Sequence, residues 1–157
     1  METLGSFKWL KEHNLYDLAL KVSFSLKKIF TPCLAVKDEK VLIVGDAGYE
    51  NRNVAAVLSG AYYLAAEHLK LDAKLILQNV KSRGDISDDD VIKSLSGLKS
   101  GNIIILNMSD KLGNIQELGK SFRKWVAKKN HRFISAMSLG DLATSNIELI
   151  TKAIDVN

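Results

Sequence analysis

The chain has one cysteine, Cys33, and one proline, Pro32, in 157 residues. A lone thiol excludes an internal disulfide and most thiolate metal sites, and a reducing, cytoplasmic setting is the expectation that follows. Histidine is scarce as well. His13, His68 and His131 stand far apart, and neither His-Glu-x-x-His nor His-x-His occurs. His68 falls on the apolar side of a helical pattern and reads as a core residue, whereas His13 and His131 read as surface residues at element ends. No apolar run approaches the roughly 18 residues needed to span a bilayer. The opening METLGSFKWLKEHN is amphipathic and lacks the apolar centre of a signal peptide, so no membrane partner is expected. Gly-x-Gly-x-x-Gly, the P-loop spacing Gly-x-x-x-x-Gly-Lys-Ser/Thr and Gly-x-Ser-x-Gly are all missing.

What is present is the balance of an ordinary globular chain, with 46% hydrophobic and 25% charged residues. The formal charge of +4 comes from lysines scattered among acids, a poor footprint for nucleic acid. Short aliphatic runs occur at KVLIVG (40–45), AKLILQNV (73–80), NIIILNM (102–108) and RFISAM (132–137). Their continuity marks strands buried on both faces.

Segments of helical period separate these runs. A first helix spans Leu15 to Ile29, with Pro32 forbidding continuation. A second runs from Asn53 to Lys70, apolar around most of its circumference, which suggests burial on more than one side and a subunit contact. A third opens at Ser87 as N-cap with Asp88 to Asp90 in its first turn. A fourth covers Asn114 to Lys129 with Asn114 and Glu117 at capping-box spacing, and a last begins at Ser145 with Glu148. Residues 1–157 thus read as one α/β domain with an N-terminal helical segment over about 3–30. The expected architecture is a three-layer, Rossmann-like sandwich with a mostly parallel sheet of at least four strands and helices on both faces.

Ligands of such sheets sit beyond the carboxyl ends of the strands. The candidate ligand-binding residues are therefore Asp46, Gly48, Glu50, Asn51 and Arg52 after the first strand, Asn107, Ser109 and Asp110 after the third, and Ser138 and Asp141 after the fourth. Gly45 and Gly48 offer backbone N–H groups to an anion near a helix start, with Arg52 attracting it and Asp46 and Glu50 repelling it. Asp46 with Asp110 is the alternative, an acidic pocket, although the third strand lacks the acid a receiver domain would place there. Ser-x-x-Lys at Ser25–Lys28, Ser96–Lys99 and Ser121–Lys124 is common chance spacing in a chain rich in both residues. In KSFRKWVAKKNHR, Ile115, Leu118, Phe122, Trp125 and Val126 share one helical face and the cations lie opposite. That pattern gives a solvated outer face rather than a stacking platform for nucleic acid.

LYDLALKVSFSLKKIF, AVKDEKVLIVGD, VAAVLSGAYYLAAEHLKLDAKLIL, NIIILNM and RFISAMSLGD follow in an order that resembles the N-terminal domain of the aminopeptidase T and aminopeptidase S family of metallopeptidases. The likeness runs from about residue 14 onward. That family's metal ligands lie in its C-terminal half and match no position here, so the resemblance carries over no catalytic residue, metal or cofactor. It implies a non-catalytic scaffold or assembly domain, associating with a second copy or with a separate catalytic partner. The competing expectation is a binder of a small molecule or nucleotide that uses the loops named above.

Overall fold

A computed structural model describes residues 1–156. Val41–Asp46 (β1), Ala73–Gln78 (β2), Ile103–Asn107 (β3) and Arg132–Ala136 (β4) form a parallel sheet in the order β2-β1-β3-β4. Every residue of β1 and β3 is buried, which is why their aliphatic runs do not alternate with polar residues. Ile43, Leu75, Leu77, Ile103 and Ile105 point into one core, with Thr3–Glu12 (α1), Tyr16–Lys28 (α2), Val54–His68 (α3) and Ile147–Val156 (α6) on that side. Leu42, Val44, Ile76, Ile104 and Leu106 point into the other, beneath Asp89–Gly97 (α4) and Phe122–Lys128 (α5). The result is the expected three-layer sandwich. Among the described residues no helix is long and apolar enough to cross a membrane.

The apolar circumference of α3 has a different use from the expected subunit contact. Its residues Val54 to Tyr62 are all buried, with the sheet on one side and α1 and α2 on the other. Gly60 permits that approach, because a Cβ there would lie 2.7 Å from Leu10 Cδ1 and 3.5 Å from Ala19 Cβ.

Several boundaries differ from the sequence reading, each for a local reason. The chain does not leave the helix at Pro32 but widens after α2 into a π turn over Ile29–Cys33, in which Leu34 N–H donates to Ile29 O at 2.9 Å. The missing proline N–H costs little in a last turn that is already changing register. Cys33 is exposed in that turn. Ser87 does not cap α4, because its hydroxyl donates to Leu112 O at 2.9 Å and Asp88 takes the cap position. The fourth helix is shorter than expected. Asn114 and Glu117 form no capping box, a 3-10 turn covers Gln116–Leu118, and Gly119 at φ 140° breaks the path. Helix α5 then starts after Ser121, whose Oγ accepts the Lys124 N–H. Likewise Thr144–Asn146 is a 3-10 turn, and α6 begins at Ile147.

The two sheet edges are finished differently. On β2, Leu75 N–H donates to Thr3 Oγ1 at 3.1 Å, and Leu77 N–H donates to Met1 O at 3.0 Å and Ser6 Oγ at 3.1 Å. Hydroxyls of α1 thus take the place of a neighbouring strand. On β4, Arg132 N–H donates to Asn102 O and Ala136 O accepts from Met108 N–H. In a parallel ladder this alternation turns Arg132, Ile134 and Ala136 toward β3 and leaves the N–H and C=O groups of Phe133 and Ser135 on the outside.

Two histidines change places relative to expectation. His68 is exposed near the end of α3, its ring edge-on to Phe24. His131 is buried, 5.3 Å from the Trp125 ring, because the turn after α5 leads directly into β4. Its Nδ1 accepts the Asn102 N–H at 3.0 Å, and its buried Nε2 has no partner among the described residues. Asn102 in turn accepts from Lys40 N–H at 2.8 Å and donates to Lys99 O at 2.7 Å, so this cluster fastens the amino ends of the strands. Burial pushes the imidazole below its ordinary value, the Asn102 hydrogen bond opposing the shift and the nearby Lys129 ammonium adding to it. The unfolded chain therefore binds the proton more readily. His131's contribution to stability is complete above the ordinary histidine range and is lost as pH falls through the depressed folded value. Denaturant midpoints should fall between neutral and mildly acidic pH, and His131→Gln should remove most of that slope while His13 and His68 are unchanged. Equal slopes would show that His131 protonates in the fold without cost.

Candidate functional site

The chain crosses from one side of β1 to the other between β2 and β3, so the switch point lies between the carboxyl ends of β1 and β3. Asp46 ends β1 there and is fully buried. Its Oδ1 accepts the Ser109 hydroxyl at 2.5 Å and the Gly48 N–H at 3.0 Å, and its Oδ2 accepts the Ser109 N–H at 2.7 Å. Burial pushes the carboxyl above its usual range. The Ser109 and Gly48 donors oppose that shift, and the neighbouring Asp110 adds to it. Gly48 can close this turn because it sits at φ 74°, where a side chain is strained.

The rest of the loop after β1 is held by its own chain. Ala47 N–H donates to Gln78 O at 2.9 Å, while Tyr49 and Arg52 exchange backbone bonds of 3.1 and 2.9 Å. Arg52 Nη1 donates to Gly140 O at 3.2 Å. Asn51, at φ 59°, accepts the Thr144 N–H, and Asn53 N–H donates to Thr144 Oγ1 at 2.8 Å. Asn53 Nδ2 also donates to Ala47 O at 2.8 Å. Gly140 packs so closely that a Cβ would meet Tyr49 at 2.8 Å and Ser109 O at 2.9 Å.

The structure therefore brings Asp46, Gly48 and Ser109 into direct contact, and ties Asn51 and Arg52 to the loop after β4. Asn107 is buried one layer lower, its amide donating to Ser59 Oγ at 3.2 Å. Asp110 is half-buried beside them. Glu50 and Asp141 are exposed and make no ion pair among the described residues, and Ser138 is an exposed turn residue at φ 59°. Asn53, Gly140 and the hydroxyl of Thr144 were not legible as partners. The position of Asn53 directly before an apolar helical run is the one signal that marks it.

A cleft of about 640 Å³ lies elsewhere, along α4 and the first residues of β1 and β2. Four of its charges pair, Lys74 with Glu2 at 2.7 Å and Lys40 with Asp72 at 3.9 Å. Among the described residues no cluster of three His, Cys, Asp or Glu side chains is placed to hold a metal ion. No family model, curated protein or solved structure matches the chain.

Proposed function

We propose that this chain is a non-catalytic α/β scaffold or assembly domain, similar to the N-terminal domain of the aminopeptidase T and aminopeptidase S family but without that family's metal centre. The observation that carries the reading is Asp46. It is the acid at the switch point, where an open sheet receives its ligand, yet both of its oxygens are engaged by Ser109 and Gly48 in a buried network. The neighbouring N–H groups of Ala47, Tyr49, Arg52 and Asn53 are engaged as well, so the loop works as a tie between strands.

The competing reading, a nucleotide or anion binder, requires Arg52 to leave Gly140 O and meet the ligand. A thermal-unfolding comparison separates the two. Inorganic phosphate and ATP, each at millimolar concentration with and without Mg²⁺, should leave the midpoint of the parent chain and of Arg52→Ala unmoved. A ligand that binds the native state raises the midpoint by mass action. A rise of roughly 2 °C or more in the parent, abolished by Arg52→Ala, would replace the scaffold reading with the binder.

A further inference from the structure

We infer that the open edge of β4 is an assembly surface for an extended, acidic polypeptide segment, which adds as a further strand of the sheet. The inference rests on the scaffold reading above and names the partner's chemistry. Three observations carry it.

The first is the edge itself. Phe133 and Ser135 present backbone donors and acceptors outward at strand spacing, whereas α1 covers the equivalent groups of β2 with hydroxyls. An edge strand left open is a template for another extended chain, and natural edges are usually blocked by proline, bulges or inward charges. Here β4 has no proline or bulge. Its one charge, Arg132, is turned back onto Leu34 O and Glu39, the latter at 2.9 Å.

The second is charge. From residue 118 to residue 140 the sequence contains no Asp or Glu, but it contains Lys120, Arg123, Lys124, Lys128 and Lys129 beside Arg132. Among the described residues none of those five forms an ion pair, whereas Lys8, Lys21, Lys28, Lys40, Lys74 and Lys81 all do. Arg123 lies over the Phe133 ring, 5.8 Å from its centroid, so an unpaired cation sits at the open edge. Two copies pairing through β4 would bring these cations together, and a segment carrying carboxylates would neutralise them.

The third is the difference between the two faces of the edge. Residues opposite Phe133 and Ser135 would lie on the α5 side, near Arg123. Those opposite Ile134 and Ala136 would lie on the apolar α6 side, where Ile150 and Ile154 are only partly buried. Alternation of acidic and apolar residues is the matching pattern.

The test uses the full chain and a fluorescein-labelled octapeptide alternating glutamate and valine, followed by anisotropy and by amide hydrogen exchange. Binding should protect the Phe133 and Ser135 amides. It should weaken about tenfold or more in Arg123→Glu and at high salt. It should be lost in Ser135→Pro, which removes an outward donor and no ladder bond. The same peptide with lysine for glutamate should not bind. No anisotropy change with a folded protein overturns the inference but leaves the scaffold reading standing. Binding without protection of those two amides overturns the strand geometry, as does equal binding of an oligonucleotide. A dimer in sedimentation that Ser135→Pro dissolves would assign the edge to a second copy and overturn the acidic-segment reading.

Discussion

Asp46→Ala will lower the stability of the fold by about 3 kcal/mol. The substitution removes the acceptor for the Ser109 N–H, the Ser109 hydroxyl and the Gly48 N–H. The hydroxyl can rotate to another acceptor, but the Ser109 N–H is fixed by the strand end and the Gly48 N–H by its turn. A buried donor left unpaired costs roughly 1–3 kcal/mol. Relief from burying a charge offsets part of the loss, which sets the net figure below the sum of the three bonds. Asp46→Asn should recover part of it, since one amide oxygen still accepts while the amide nitrogen faces a donor. Urea unfolding gives the free energies, and hydrogen exchange at Gly48 and Ser109 locates the damage. Wild-type stability in Asp46→Ala, with both amides still protected, would show that Asp46 is not what holds these loops.

Gly45→Ala should cost about 3 kcal/mol, at the upper end of what overpacking does, and most of that should return in Gly45→Ala with Ser59→Gly. A Cβ on Gly45 would overlap the Ser59 hydroxyl, stand 2.8 Å from Ser59 Cβ and touch Leu77 Cδ2 at 3.2 Å. All of these belong to rigid elements, α3 and β2, so the strain is shared with the sheet rather than released to solvent. Rotating the Ser59 hydroxyl clears one clash but leaves the Cβ overlap. It also removes the partner of the Asn107 amide. The double variant clears both clashes at the cost of that bond and of a glycine inside a helix. Equilibrium unfolding of the four chains in the cycle yields the coupling between the two sites. Independent, additive effects would mean that β1 and α3 are not packed as closely as the distances state.

The strands were readable because β1 and β3 are covered on both faces, so burial leaves a continuous aliphatic run that nothing else in the chain imitates. Helices α2 and α3 were readable for the related reason that their apolar positions recur over several turns. Helix α5 was not. Ile115, Leu118 and Phe122 do lie at helical spacing, but Gly119 at φ 140° interrupts the path, and a run of apolar positions cannot reveal a backbone break. His131 was misplaced because its burial depends on packing under Trp125, a tertiary event without a local pattern. At the candidate site, Asp46, Ser109 and Gly48 were identified as strand-end residues, yet their spacing did not show that they bond to one another. That depends on which strands are neighbours. The pairing of β1 with β3 brings residues 46 and 109 together, and strand order is not a local property of either segment.

The hydroxyls of Thr3 and Ser6 against β2 also set the valence of the molecule. With one side of the sheet finished by its own helix and the other left open, the sheet of the described residues has one edge at which backbone pairing can begin. A chain with two open edges can join end to end without limit, whereas one whose β2 edge is covered could pair only through β4. Two small side chains in the first turns of α1, with the Met1 carbonyl, therefore close the β2 edge to the end-to-end pairing that builds fibres.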